Sequence, residues 1–244
     1  MPAPRSLCIP NVSQEPLHYV LERDLVPPTG MVLEFGVYTG TSINYIADQL
    51  AQRGGGGDVN DINDVNGTNS GSSDSSGNCG NSSSGGNSSS RTVYGFDSFE
   101  GLPETWARPD MTFRAGTFDV HGMLPVVRPN VVLVRGWFDA TLPPFLAEHS
   151  GESVALLHID CDLYSSTKTV LEALAPRFRP GTVVVFDELI NYPNYEAHEW
   201  RAWWEIVDRY GLPFEWLAMN GDIQSADAIV DRGAYDQKVA LRIL

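Results

Sequence analysis

Lysine is nearly absent from this chain: Lys168 and Lys238 are the only two among 244 residues. With 16 Lys and Arg against 31 Asp and Glu, the formal net charge is −15. Such a surface repels phosphate backbones and anionic headgroups, so nucleic acid and membrane surfaces are poor partners. Cysteine is scarce as well. Cys8, Cys79 and Cys161 share no paired spacing, which excludes a disulfide framework and a zinc pattern and fits a reducing compartment. No apolar run approaches the roughly 20 residues of a membrane span. The start, Met1 to Pro10, lacks the apolar segment of a secretory signal. A cytoplasmic protein is expected, and triplets such as Asn87-Ser88-Ser89 read as compositional accidents rather than glycosylation sites. A homo-oligomer is left open.

What is present is enough apolar and aromatic material for a core. Residues of hydrophobic type make up 42%, with six Trp, nine Tyr and ten Phe, so wholesale disorder is excluded. The reading is one α/β domain over 1–244, interrupted by a low-complexity insertion at 54–90. Gly54 to Ser90 is almost wholly Gly, Ser, Asn and Asp, with Val59, Ile62 and Val65 as its only aliphatics. It buries too little apolar surface to offset its ordering entropy, so a disordered loop is expected there. Its acids, Asp58, Asp61, Asp64 and Asp74, account for only part of the charge excess, so the folded part is acidic too.

Around the insertion, helical and strand patterns alternate. Helices are expected at 14–26, where Pro27-Pro28 stop the run, and at 41–53, 165–177 and 196–210. Short apolar runs suited to buried strands lie at 31–35, 92–96, 131–135, 154–159 and 182–186, and two closing strands at 214–219 and 238–244. Repeated βα units argue a doubly wound, Rossmann-like sheet, mostly parallel, and the final strand–loop–strand argues an antiparallel C-terminal pair. On such sheets ligands bind outside the carboxyl ends of the strands, so chemistry is sought just after each one.

The first strand runs into Glu34-Phe35-Gly36-Val37-Tyr38-Thr39-Gly40-Thr41-Ser42. Glycines 36 and 40 permit a tight turn and close backbone approach to a ligand. The G-x-x-x-G spacing differs from the dinucleotide G-x-G-x-x-G. Glu34 at the strand tip would oppose a pyrophosphate but suits a ligand carrying an ammonium and a sulfonium. The second strand ends in Asp97-Ser98-Phe99-Glu100-Gly101-Leu102-Pro103, where an acid can accept bonds from both ribose hydroxyls. After the third comes Gly136-Trp137-Phe138-Asp139; the aromatic pair walls an adenine ring or packs the core. The candidate cofactor residues are thus Glu34, Gly36, Tyr38, Gly40, Thr41, Ser42, Asp97, Ser98, Trp137 and Asp160.

The last two parallel strands end in His158-Ile159-Asp160-Cys161-Asp162-Leu163-Tyr164 and Phe186-Asp187-Glu188. If these strands are neighbours, Asp160, Asp187 and Glu188 converge, and three carboxylates together call for a cation. An all-oxygen set favours Mg²⁺, with Mn²⁺ or Ca²⁺ as substitutes. His158 alternates inward and reads as a buried, hydrogen-bonded residue rather than a ligand. Trp200, Trp203 and Trp204 at helical spacing read as core, and His198 as a surface residue of the same helix.

These strings resemble the macrocin O-methyltransferase family, over roughly Met31 to Glu205 without the insertion. The specific carriers are Asp97-Ser98-Phe99-Glu100-Gly101-Leu102-Pro103 and Ile159-Asp160-Cys161-Asp162-Leu163-Tyr164-Ser165-Ser166-Thr167. The resemblance implies S-adenosylmethionine bound by the turn at 34–40 and the acid at 97. It implies Mg²⁺ held by Asp160 and the pair at 187–188. Here the chain departs from the family, which carries two aspartates where Asp187-Glu188 stand; glutamate still ligates Mg²⁺. Ahead of Met31 the chain is short beside the acceptor-covering segments of those enzymes, so their antibiotic-sugar substrates are not carried over. The expected reaction is methyl transfer to a hydroxyl of a small molecule, with Asp160 as general base at the metal edge. A nicotinamide-dependent oxidoreductase is disfavoured by the glycine spacing, and a methyltransferase-like binding module without catalysis is the other alternative.

Overall fold

The structure is a computed structural model that describes residues 9–54, 91–220 and 237–244. The low-complexity tract expected to be disordered lies outside the described residues from 55 onward. In chain order the elements are β1 (Asn11–Val12), α1 (Pro16–Glu22), β2 (Met31–Phe35), α2 (Thr41–Gly54), β3 (Val93–Asp97), β4 (Trp106–Ala107) and β5 (Thr112–Phe113). They continue with β6 (Val131–Arg135), α3 (Phe138–Glu148), β7 (Val154–Ile159), α4 (Tyr164–Leu174), β8 (Val183–Ile190), α5 (Glu199–Tyr210), β9 (Phe214–Asn220) and β10 (Gln237–Ile243).

Eight strands form one sheet in the order β1-β9-β10-β8-β7-β2-β3-β6. The central five, β8-β7-β2-β3-β6, run parallel. β10 is antiparallel to both β8 and β9, which is the closing pair expected from the sequence. From β2 the chain winds outward to β3 and β6, then returns to β7 beside β2 and winds the other way. The order therefore reverses between β2 and β7, which opens a crevice at their carboxyl ends.

Period-2 alternation divides the core between two faces. Leu33, Phe35, Leu157, Ile159, Val184 and Phe186 pack against α3, α4 and α5, including buried Trp200 and Trp203. Val32, Leu156, Val183 and Val185 pack against Leu17, Val20 and Leu21 of α1 and Ile43, Ile46 and Ala47 of α2. Trp200 and Trp203 of α5 are core, as their spacing implied, and Trp204 is half-buried against them.

The short strands β1, β4 and β5 have no counterpart in the sequence pattern, and three longer elements depart from it. Helix α1 ends at Glu22 rather than reaching Val26, because Asp24 takes a left-handed φ of 56°. That turn lets the amide of Leu25 donate to the Val20 carbonyl at 3.0 Å and closes the helix early. Helix α3 was not legible at all, because Pro143 and Pro144 sit inside it. It persists because Leu142 and Phe145 are buried against the sheet. Strand β8 runs on to Ile190 instead of ending at Phe186, because β10 pairs with its far end at Gln237 and Ile190. Asp187 and Glu188 therefore stand within a strand and not on a loop.

Candidate active site

A cavity of about 690 Å³ opens where β2, β3, β6 and β7 end, at the switch in strand order. Its walls come from the segments the sequence singled out: Gly36 and Tyr38, Asp97 and Ser98, Trp137 and Phe138, Asp160, and Glu188. Five carboxylates line it (Asp97, Asp139, Asp160, Asp162 and Glu188), with no Lys, Arg or His among the lining residues. Such a cavity favours a cationic ligand and disfavours a pyrophosphate.

The floor of the cavity depends on one glycine. Gly36 has φ +92°, and a Cβ there would fall 1.7 Å from the Asp160 carbonyl oxygen. The amide of Asp160 donates to the Phe35 carbonyl at 2.9 Å, so the two diverging halves of the sheet are tied at this point. Beyond Gly36 the turn is held by Asp97. Its Oδ2 accepts from the amides of Val37 at 2.8 Å and Tyr38 at 2.9 Å, and its Oδ1 from Phe99 at 2.7 Å. Asp97 thus organises the turn while facing the cavity. Trp137 is 39% exposed and open to a ligand, whereas Phe138 packs edge-on against Phe35 at 5.1 Å.

Not every candidate reaches the cavity. Glu34 is fully buried; its Oε1 accepts from the Ser42 hydroxyl at 3.0 Å and its Oε2 faces His158 Nδ1 at 3.0 Å. Glu34, Gly40, Thr41 and Ser42 are absent from the lining. His158 is buried and hydrogen-bonded, as its alternation implied. Burial opposes its charge, but the carboxylates of Asp187 and Glu34 outweigh it and raise its pKa to about 10.

The carboxylate set is divided. One ligand atom each from His158, Asp160 and Asp187 lies within 4.8 Å of the others; Glu188 is not in that group. Successive residues of a strand diverge, so Asp187 turns toward His158 while Glu188 turns into the cavity. Burial and the neighbouring Asp187 push the Asp160 carboxyl well above its usual range. Burial, then Asp187 and Asp160, do the same to Glu188. Burial works against Asp187 too, but His158, Glu188 and Lys238 hold it below the ordinary carboxylate range. Glu188 Oε2 is buried with no hydrogen-bond partner. An acceptor left in that state, among acids raised by mutual repulsion, is a donor set that fits a divalent cation.

Several residues escaped the sequence reading. Asp162, with φ 63°, is buried and lines the cavity. Glu199 is fully buried below it and accepts from the Thr167 hydroxyl at 3.1 Å. His198 is half-buried rather than a residue of the helix surface. It precedes α5, lies about equally close to the rings of Tyr192 (5.9 Å) and Trp106 (6.2 Å), and burial, then Arg108, lower its pKa. Only the β4–β5 hairpin, with no pattern of its own in the sequence, brings Trp106 there.

A doubly wound sheet with its cavity at the switch point and an antiparallel closing pair is the architecture of Rossmann-like methyltransferases. A methyltransferase-domain family matches residues 33–189, and the chain belongs to that family. Among curated relatives, the 8-demethyl-8-(2,3-dimethoxy-alpha-L-rhamnosyl)-tetracenomycin-C 4'-O-methyltransferase of Streptomyces olivaceus is 35% identical over 136 residues, 49% of this chain and 51% of that protein. The mycinamicin III 3''-O-methyltransferase of Micromonospora griseorubida is 30% identical over 145 residues, 51% of this chain and 52% of that protein. The chain thus spans about half the length of these relatives. Among solved structures, a calicheamicin methyltransferase superposes with a TM-score of 0.58 at 24% identity, covering 92% of this chain and 76% of that one. No helix among the described residues is long and apolar enough to cross a membrane.

Proposed function

We propose that the chain is an S-adenosylmethionine-dependent O-methyltransferase acting on a hydroxyl of a small molecule, a sugar or a sugar-bearing natural product, with assistance from Mg²⁺. The observation that carries this reading is the lining of the cavity: five carboxylates and no Lys, Arg or His, at the strand tips of a methyltransferase domain. A sulfonium with an ammonium is drawn into such a site, whereas a dinucleotide is repelled. One cited relative is named for O-methylation of a rhamnosyl-bearing tetracenomycin and another for O-methylation of mycinamicin III, which supports that acceptor class.

Each part of the chain then has a task. The turn from Gly36 to Tyr38, held by Asp97, takes the cosubstrate, and Asp97 and Ser98 face its ribose. The open face of Trp137 stacks on the adenine. Asp160, Asp187 and Glu188 are the residues to hold Mg²⁺. When bound, that ion lowers the pKa of the acceptor hydroxyl and fixes its approach. In-line displacement forms the bond from acceptor oxygen to methyl carbon, and the carbon–sulfur pair leaves with the thioether. The hydroxyl proton passes to Asp160 as general base at the metal edge.

Calorimetry with S-adenosylhomocysteine and with NADH, each with Mg²⁺ and with excess chelator, tests the reading, followed by methyl transfer to a panel of nucleotide sugars and glycosides. Binding of the homocysteine and transfer to at least one sugar hydroxyl are expected. Binding of NADH alone would remove the methyltransferase reading; binding of the homocysteine with no transfer to any hydroxyl would leave a binding module.

A further inference from the structure

Four ionisable side chains form a row across four neighbouring strands, on the face covered by α1 and α2. They are Glu34 on β2, His158 on β7, Asp187 on β8 and Lys238 on β10. His158 Nε2 stands 3.8 Å from Asp187 Oδ1, and the ammonium of Lys238 donates to the same oxygen at 2.6 Å. Glu15 Oε1 lies 3.5 Å away on the other side of that ammonium. In the antiparallel register of β10 with β8, Val239 pairs with Phe186, so Lys238 stands opposite Asp187, and directly opposed residues of such a pair share a face. That register sets one of the chain's two lysines against an acid of the carboxylate cluster.

We propose that Lys238 is a fixed countercharge that competes with the divalent cation for Asp187. The inference rests on the reading of Asp160, Asp187 and Glu188 as the metal site. One carboxylate oxygen of Asp187 already faces an ammonium. An incoming dication must displace that ammonium or sit a few ångströms from it, and either course weakens its binding. The ion is then held chiefly by Asp160 and Glu188, and Lys238 sets how tightly. Lys238 is a positioning residue: it touches Asp187 and not the reacting atoms.

The test is Mn²⁺ binding to the full chain, read by electron paramagnetic resonance and calorimetry at one pH for the wild type, Lys238→Met, Lys238→Gln and Lys238→Arg. Each neutral variant that retains a cooperative melt is expected to bind Mn²⁺ at least tenfold more tightly than the wild type, with Lys238→Arg unchanged. A purely structural lysine would lower the melting temperature of the neutral variants and leave Mn²⁺ affinity where it was, and that result overturns the competition while the metal site stands. If neither the wild type nor the neutral variants take up Mn²⁺, the metal site itself is wrong and the competition falls with it.

Discussion

Gly36 and Asp160 meet so closely that any side chain on the glycine would penetrate the backbone of the aspartate, at 1.7 Å from its carbonyl oxygen. This is the point where the two halves of the sheet part, and the cosubstrate turn and the carboxylate cluster are joined there. Gly36→Ala adds a clash to a left-handed φ, and a loss of about 3 kcal/mol or more is expected. Urea denaturation measures it; a change within about 0.5 kcal/mol would mean that the turn relaxes freely and that the close approach is unimportant.

His158 gains two carboxylate partners on folding, so its folded pKa of about 10 exceeds the ordinary 6.5. Its contribution to stability is therefore complete below about pH 6.5 and is lost as the pH rises toward 10. His158→Gln leaves Glu34 buried without its cation and is expected to cost about 3 kcal/mol or more at pH 6. Chemical denaturation at pH 6, 8 and 9.5 should show the gap between wild type and variant closing with pH. A gap that is constant or widens contradicts the assignment of charge.

Glu199 shows the opposite consequence of burial. Desolvation, then the charge of Asp162, push its carboxyl well above the ordinary 4.5, so its stabilising form is the neutral acid. That contribution is present below pH 4.5 and is lost as the pH rises toward the folded value. Glu199→Gln mimics the neutral form and keeps an oxygen for the Thr167 hydroxyl. At pH 8 the variant is expected to melt at or above the wild-type temperature, whereas Glu199→Ala melts below it. A Gln variant as unstable as the Ala variant would show that the ionised carboxylate is needed.

Trp137 is open enough that removing its ring costs little packing. On the adenine-stacking assignment, Trp137→Ala should weaken S-adenosylhomocysteine binding about tenfold to a hundredfold, the equivalent of ~1–3 kcal/mol for a lost stacking platform. The melting temperature without ligand should stay close to that of the wild type. Unchanged affinity in the calorimeter would move the adenine elsewhere.

Asp160→Asn keeps the shape and removes the proton acceptor. Turnover is expected to fall by about 10² to 10⁴, the range for a general base, while affinity for S-adenosylhomocysteine changes less than about threefold. Single-turnover rates with the best acceptor found make the comparison. A variant that retains more than a tenth of the wild-type rate would assign the proton to another group.

The sequence by itself determined the strand and helix alternation, the closing antiparallel pair and the order of the motif-bearing turns. Apolar periodicity and glycine placement are local properties, and each segment carries them without its neighbours. Tertiary structure decided where the polar side chains point. Asp97 reads from the sequence as a ribose acid, yet the amides of Val37 and Tyr38 that it accepts from lie 60 and 59 residues away. Asp187 and Glu188 read as one pair, but pairing with β10 lengthens β8 through them, and strand alternation then sends one toward His158 and the other into the cavity. Lys238 reaches Asp187 only because β10 is inserted beside β8. A charge acquires its role from the groups that surround it in space, and those are set by strand order and register rather than by the residues beside it in the chain.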